Sequence, residues 1–346
     1  MIEERRSAPA VGACAVLVGV LVLFSIFLVA QAFVLVTFAR AAKLPGHSLS
    51  IGDATISVTF EDGSLNLAPA SVFGWINESA CAVATYYGRF PVHHLRLSIV
   101  PIEERRGVLH GRTDADGGAE IMVSIGQYAT ESDLRDDWIL THEMVHLAFP
   151  SVPRQHHWIE EGIATYVEPV ARAQIGDLRP EKVWGDLVDG LPRGMPDSGD
   201  EGLDNTHTWG RTYWGGALYC TLADVDIRRR THNRLGLQDA LRGIVDAGGN
   251  IEADWPLTRT LKVADDAVGV PAMMQLYDRM KDAPMDPDLA KLWRDLGITD
   301  RAGQVTFESD AALAAVRSAI TELPKGAKVF CRGRFAGSEP PALPRQ

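Results

Sequence analysis

Residues 138–168 read WILTHEMVHLAFPSVPRQHHWIEEGIATYVE and overlap two predicted helices, at about 131–148 and 153–172. In the first helix, His142 and His146 are four positions apart, so both imidazoles share one face, with Glu143 beside them. Imidazoles and carboxylates are ligands that zinc prefers, and a catalytic zinc site keeps three protein ligands and one position for water. The pattern therefore predicts a site for one Zn²⁺ per chain, with its third protein ligand in the second helix.

The surroundings of this H-E-x-x-H motif favour a helix. Thr130 and Asp133 resemble a capping box at its start, and Pro150 and Pro153 follow its end. The five-residue pattern alone would arise by chance in about 1.5% of chains with this composition. The alternative is a pair of surface histidines on an amphipathic helix, so the residues that follow the motif decide between the two interpretations.

Two adjacent glutamates in the second helix, Glu160 and Glu161, are candidates for the third ligand. Glu161 follows His146 after 14 intervening residues. His156 and His157 are alternative donors, but their spacing fits no recognised zinc pattern. We interpret these two histidines as surface or cleft residues.

Residues 158–168, WIEEGIATYVE, resemble the W-x-x-E-G-x-A-x-Y segment of the gluzincin aminopeptidases. The resemblance implies that Glu161 is the third zinc ligand, because the family's ligand is the glutamate before the glycine. Glu160 stands where the family often has asparagine, and we interpret it as an exposed helix charge. The separation from the H-E-x-x-H motif is shorter than is common in the family, which shortens the connection between the two helices.

Two weaker matches lie outside these helices. Residues 213–218, YWGGAL, resemble the Y-x-x-G segment of these enzymes and of the related glycyl aminopeptidases. This resemblance implies that the Tyr213 hydroxyl stabilises an oxyanion, whereas the alternative is a packing tyrosine near a helix start. Residues 117–120, GGAE, resemble the G-G-x-E strand that lines the cleft, which implies that Glu120 binds the free amino group of a substrate. Ile121 replaces a common asparagine, so exopeptidase specificity stays open, and the alternative for Glu120 is an exposed strand glutamate.

The order of predicted elements, strands first and helices after, is typical of an α+β fold. Alternating apolar residues predict strands at 54–60, 94–100 and 119–125, with a helix at 69–88. We expect the third strand to expose one edge to the cleft and to hold a peptide there by strand addition.

The later part of the chain is mainly helical in pattern. Residues 106–118 and 186–209 are polar and Gly-rich and predict loops, whereas residues 212–320 predict helices throughout. The resemblance implies a zincin-like catalytic domain at 43–225, built from a small mixed sheet and the active-site helices. An all-α C-terminal region is predicted at 226–336, followed by a loose tail at 337–346.

Residues 11–39 form an apolar run in which the Cys14 thiol is the one ionisable side chain. As a helix, the run would extend about 43 Å, more than the ~30 Å hydrocarbon core of a bilayer. We therefore predict a transmembrane anchor behind an N-terminal tail at 1–10. The alternative is a cleaved signal peptide, with Ala30-Gln31-Ala32 as a small-x-small cleavage site.

Positive charges lie on both sides of the apolar run. Arg5 and Arg6 precede it, and Arg40 and Lys43 follow it, so the positive-inside rule leaves the orientation nearly tied. A short tail before a large body favours export of the body. We predict a single-pass membrane protein whose catalytic domain is extracytoplasmic.

Charge and composition exclude several other classes. The chain carries 45 acidic and 34 basic side chains, with a net charge of -11, whereas a nucleic-acid interface needs clustered positive charge. The sequence has no phosphate-binding G-x-x-x-x-G-K-[ST] loop, no G-x-S-x-G elbow and no dinucleotide fingerprint after a strand. Cys81, Cys220 and Cys331 form no C-x-x-C pair and leave the pairing open, with Cys220 predicted as a buried thiol in an apolar helix.

These observations predict a membrane-anchored zinc metallopeptidase that acts on peptides or proteins. Zinc held by His142, His146 and Glu161 would acidify its bound water, and Glu143 would accept the proton as general base. Tyr213 and zinc would share the charge on the carbonyl oxygen. The alternative is a non-catalytic zincin-like domain that binds peptides or partners, a reading motivated by the shortened spacing and by Ile121.

Overall fold

The computed structural model describes residues 47–330, which include a five-stranded mixed sheet in the order β1-β2-β3-β5-β4. β1 and β2 form an antiparallel hairpin, β2, β3 and β5 run parallel, and β4 is antiparallel to β5 at the far edge. The strands are β1 (His47–Ile51), β2 (Ala54–Phe60), β3 (His94–Ile102), β4 (Val108–Asp114) and β5 (Glu120–Gly126).

The sheet has one buried and one partly solvated face, as the alternating sequence predicts. Ile56 and Val58 of β2, Leu97 of β3, and Ile121 and Val123 of β5 are all at most 1% exposed. The residues between them are polar or only partly covered, including Ser57, Arg96 and Met122. The three predicted strands are confirmed, with boundaries shifted by two residues at most.

The predicted loop at 106–118 is wrong in its central part, because residues 108–114 form the edge strand β4. Its sequence, VLHGRTD, lacks apolar alternation, and pairing with β5 sets its conformation. As a result β5 has β3 on one side and β4 on the other. The expectation that the strand of Glu120 exposes an edge is therefore wrong, and the edge belongs to β4.

Eleven α-helices follow or separate these strands within residues 47–330. They are α1 (Pro69–Tyr87), α2 (Glu131–Arg135), α3 (Ile139–His146), α4 (His157–Gln174), α5 (Pro180–Gly190), α6 (Gly216–Arg230), α7 (Leu237–Asp246), α8 (Leu257–Val268), α9 (Ala272–Met280), α10 (Leu289–Leu296) and α11 (Ala314–Thr321). The predicted helix at 69–88 corresponds to α1, and that at 153–172 corresponds to α4 with a short 3₁₀ turn before it.

The predicted helix at 131–148 is two helices, α2 and α3. The capping box of Thr130 and Asp133 starts α2 as predicted. Asp137 then interrupts the helix, because its carboxylate accepts hydrogen bonds from the backbone amides of Ile139 (3.0 Å) and Leu140 (3.1 Å). Such a side chain satisfies the first free amides of a new helix. The H-E-x-x-H motif therefore lies in a short, separately capped helix.

Helices α4 and α6 cross with their backbones in close contact. A Cβ atom built on Gly162 would lie 2.3 Å from the Cα atom of Gly216, so neither position has room for a side chain. Gly162 directly follows Glu161, and Gly216 follows the segment that carries Tyr213. The two glycines thus bring Glu161 and the segment of Tyr213 close together.

A buried polar network fastens α6 to its neighbours. The Asp224 carboxylate, 2% exposed, accepts hydrogen bonds from the Tyr166 hydroxyl (2.8 Å), Arg228 Nε (2.7 Å) and the Leu237 amide (3.0 Å). A buried charge needs such compensation because burial in a low-dielectric interior removes its hydration. The boundary predicted at 225–226 lies inside α6, immediately next to this network.

A second carboxylate links the C-terminal helices to the start of α4. Asp204 Oδ1 accepts hydrogen bonds from Trp158 Nε1 (2.7 Å) and interacts with His156 Nδ1 (2.9 Å). Its other oxygen accepts a hydrogen bond from the Tyr277 hydroxyl of α9 (2.8 Å). Asp204, which lies in the loop before α6, therefore connects the start of α4 to α9.

The C-terminal region is not all-α, which corrects that part of the predicted fold. Residues Ile298–Arg301 (β6) and Gln304–Phe307 (β7) form an antiparallel hairpin. Ala302 and Gly303 between them have φ values of 54° and 81°. Two central residues with positive φ are typical of a type I′ turn, whose twist matches that of a hairpin.

Several predictions concern residues outside 47–330, namely the anchor at 11–39, the tails at 1–10 and 337–346, and Cys331. Among residues 47–330, no helix combines the length and apolar character needed to cross a bilayer. Cys220 is a fully buried free thiol, as predicted. Cys81 is disulfide-bonded.

Candidate metal centre

Three side chains from α3 and α4 converge on one point. Nε2 of His142 lies 3.1 Å, and Nε2 of His146 lies 3.6 Å, from Oε2 of Glu161. One ligand atom from each of the three residues lies within 4.8 Å of the others. The three side chains are only 6%, 14% and 11% exposed. The separation, burial and His₂Glu donor set fit a zinc ion with three protein ligands.

The short helix α3 supplies two of these ligands because the i, i+4 spacing places both imidazoles on one face. Their ring centroids are 4.9 Å apart. The opposite face carries the buried residues Leu140 and Met144, which fix the helix against the core. Apolar packing on one side thus turns both histidines toward α4.

The charges in the cluster are strongly coupled. Burial raises the pKa of Glu161, but hydrogen bonds from His142, His146 and His157 outweigh it and hold that pKa far below its usual range. Burial lowers the pKa of His142. In His146, burial also works to lower the pKa, yet the hydrogen bond and charge of Glu161 raise it overall. The cluster therefore presents an ionised carboxylate between two imidazoles, a suitable set for a divalent cation.

Glu143, the predicted general base, lies beside the cluster and is partly buried. Its side chain rests on the edge strand β4, where a Cβ atom at Gly111 would be 2.5 Å from its Cγ atom. Oε2 of Glu143 accepts a hydrogen bond from the Thr113 hydroxyl at 2.6 Å. Gly111 and Thr113 were not found from the sequence, because they belong to the segment read as a loop.

Tyr213 lies on a π-helical turn, Gly210–Gly215, immediately before α6. The centroid of its ring lies 6.4 Å from that of His142, with the two rings stacked, and Glu161 lies near its hydroxyl. Burial and the nearby negative charge of Glu161 raise the pKa of Tyr213 to about 12. The phenol is therefore a protonated donor at neutral pH, next to the three ligand side chains.

His157 also contacts the cluster, which the sequence interpretation missed. Its Nε2 lies 3.2 Å from Oε1 of Glu161, and its Nδ1 lies 3.1 Å from Oε2 of Glu160. The helical spacing of four between His157 and Glu161 was the available signal. Glu160, interpreted as an exposed charge, is 22% exposed and pairs with His157, whereas His156 turns away to Asp204.

Glu120 takes a different position from these residues. It begins β5, is partly exposed, and accepts hydrogen bonds from Nε (3.2 Å) and Nη2 (2.9 Å) of Arg96 on the neighbouring strand β3. Its carboxylate is thus neutralised within the sheet. Its predicted contact with a substrate amino group stays a prediction.

Two exposed tryptophans flank the candidate centre. Trp138, 53% exposed, lies edge-on to His142 with ring centroids 5.3 Å apart. Trp209, 61% exposed, stacks with Tyr213 at 5.9 Å. Large apolar side chains exposed beside a polar centre are typical of ligand-binding clefts.

One comparison with known proteins bears on the fold. No family model matches the chain, and a search of curated proteins finds no relative. An aminopeptidase N family protein from Idiomarina loihiensis is similar in structure, with a TM-score of 0.54 and 12% identity over 74% of this chain. An M1 zinc metallopeptidase from Deinococcus radiodurans gives a TM-score of 0.45 and 15% identity over 70% of this chain. The match spans 49% and 52% of those two chains, so this protein covers about half of their length. The first likeness shows that this chain shares an α/β fold with that protein over 74% of its length.

Proposed function

We propose that this protein is a zinc metallopeptidase. The observation that carries the proposal is the convergence of the buried ligand set His142, His146 and Glu161 with the carboxylate Glu143 and the phenol Tyr213. Two surface histidines, the alternative drawn from the sequence, would not be buried or share a carboxylate. The five residues together supply the ligand, base and oxyanion-donor groups that peptide hydrolysis needs.

The roles of the residues follow from their chemistry. Zinc bound to His142, His146 and Glu161 would supply Lewis acidity for the carbonyl group and for water. Glu143 accepts the proton of the attacking water and delivers it to the leaving amine. The Tyr213 hydroxyl, which stays protonated, donates a hydrogen bond to the carbonyl oxygen as negative charge develops there.

The edge strand β4 is a suitable docking element for an extended peptide. Within residues 47–330 it pairs with β5 on one side and with no strand on the other. Main-chain hydrogen bonds to such an edge hold a peptide without regard to its sequence. Because Gly111 and Thr113 of β4 contact Glu143, a peptide aligned there lies close to the base.

The proposal includes the membrane anchor at 11–39, with the catalytic part on the extracytoplasmic side. It rests on the apolar run and on the short tail that precedes it. An anchored enzyme would meet peptide or protein substrates at the membrane surface. Aminopeptidase specificity is a narrower form of the proposal, which depends on Glu120 or another residue binding the free amino group.

The test uses the full-length protein in detergent. We expect about one zinc per chain by metal analysis, hydrolysis of peptides that a chelator abolishes, and loss of hydrolysis with zinc retained in Glu143→Gln. A panel of peptides with free and with blocked N-termini distinguishes an aminopeptidase from an endopeptidase, because only an aminopeptidase fails to hydrolyse the blocked peptides. A protein that binds zinc and peptides without turnover would instead be the non-catalytic binding domain.

A further inference from the structure

Thr113 makes the shortest polar contact to the candidate base. Its hydroxyl donates to Oε2 of Glu143 at 2.6 Å and lies 2.9 Å from the backbone carbonyl oxygen of the same residue. The two residues are 30 positions apart and belong to different elements, the edge strand β4 and the helix α3. A hydrogen bond to an ionised acceptor is short and strong compared with one between neutral groups.

The neighbouring glycine restricts the same carboxylate by shape. Alternate residues of a strand point to one side, so Gly111 and Thr113 both face α3. A Cβ atom at Gly111 would lie 2.8 Å from Oε1 of Glu143 and 2.7 Å from a methyl carbon of Ile139. The Glu143 side chain therefore lies between the backbone of β4 and its own helix, with Thr113 holding one end.

We propose that Thr113 is a positioning residue for Glu143, an inference that rests on the proposed peptidase function. A glutamate has three rotatable side-chain bonds, and a base that samples several rotamers spends little time in the reactive geometry. The Thr113 hydroxyl holds Oε2 and leaves Oε1 as the oxygen that accepts the proton. Supporting hydrogen bonds of this kind fix catalytic groups within a fraction of an ångström.

The test compares three variants of the full-length protein. Thr113→Val keeps the shape and strand propensity of threonine but removes the hydroxyl, and Thr113→Ser keeps the hydroxyl. Thr59→Val is the matched control, because Thr59 is a strand threonine on β2 whose hydroxyl bonds to Ser98 instead. We measure kcat, KM, zinc content and the crystallographic position of the Glu143 carboxylate.

We expect kcat of Thr113→Val to fall about tenfold or more, a loss common when a supporting hydrogen bond is removed. KM and zinc content should stay unchanged, and Thr113→Ser and Thr59→Val should resemble the wild type. In crystals, the Glu143 carboxylate should occupy one rotamer in wild type and Thr113→Ser and should move or split in Thr113→Val.

Three results would overturn the proposal. They are an unchanged kcat in Thr113→Val, an equal loss in Thr113→Ser, and a loss explained by KM or zinc content. A wild-type protein without hydrolytic activity would instead refute the proposed function. In that case the crystals still decide about Thr113, because a Glu143 rotamer unaffected by Thr113→Val rules out the positioning role.

Discussion

The crossing of α4 and α6 gives the strongest prediction about stability. A substitution that would stabilise an isolated helix should lower the free energy of unfolding of this protein. We consider Gly162→Ala. Gly162 lies in the interior of α4, and alanine is favoured over glycine by about 1 kcal/mol in a helix interior. On local grounds alone, the variant should be more stable than the wild type.

The crossing reverses this expectation. The new Cβ atom would lie 2.3 Å from backbone atoms of Gly216, whereas ordinary contacts begin near 3.4 Å, so the two helices must separate by about 1 Å. Overpacking of an interior costs about 1–3 kcal/mol. Because the atoms in the way belong to the backbone and cannot rotate aside, we expect the cost of Gly162→Ala at the upper end of this range. After the gain in helix propensity, we expect a net loss of about 2 kcal/mol in the free energy of unfolding.

Gly185→Ala is the matched control, because Gly185 lies inside α5 with no backbone close to it. Its new Cβ atom would meet only a methyl carbon of Val305, at an ordinary distance of 3.6 Å. We expect this variant to gain up to about 1 kcal/mol. Urea unfolding followed by circular dichroism measures both changes. A Gly162→Ala protein at least as stable as the wild type, alongside a stabilised Gly185→Ala, would refute the reasoning about the crossing.

Three further predictions follow from the buried groups. Asp224→Ala should lower the free energy of unfolding by about 3–5 kcal/mol, because it leaves Arg228 buried without its partner. Asp226→Ala breaks a more exposed pair on the same helix and should lower it by under about 1 kcal/mol. Urea unfolding measures both changes. Glu161→Gln should reduce bound zinc well below one per chain in metal analysis, and Glu160→Gln should not; equal zinc in both variants would argue against Glu161 as a ligand. The Cys220 thiol, whose pKa burial raises, should resist an Ellman-type reagent in the folded protein and react in urea, and rapid native labelling would contradict its burial.

The parts of the fold that were predicted correctly share strong local patterns. The central strands β2, β3 and β5 alternate apolar and polar residues, and α1 carries a continuous apolar face. The edge strand β4 has no such pattern, because it is a polar strand whose conformation comes from pairing with β5. The β6–β7 hairpin was missed because its strands are only four residues long and Ala302-Gly303 is not one of the Asn-Gly or Asp-Gly pairs that mark a type I′ turn.

The residues of the candidate site also differ in whether a local sequence pattern predicts them. His142 and His146 lie on one helix, so their spacing alone predicts that they converge, and the resemblance to the aminopeptidases supplied Glu161 and Tyr213. Thr113 could not be found in this way, because its contact with Glu143 depends on how the sheet lies against α3. Sequence patterns report neighbours along an element, whereas contacts between elements depend on the whole fold.

Asp204 links the C-terminal helices to residues that are far from them in sequence. Its carboxylate joins Tyr277 of α9 to His156 and Trp158, and Trp158 lies three residues before Glu161. The downstream helices therefore stabilise the position of α4, the helix that carries Glu161. A shortened protein ending near residue 225 would keep every side chain of the candidate centre and lose this support, so the smallest fragment in which the centre stays intact should extend at least through α9.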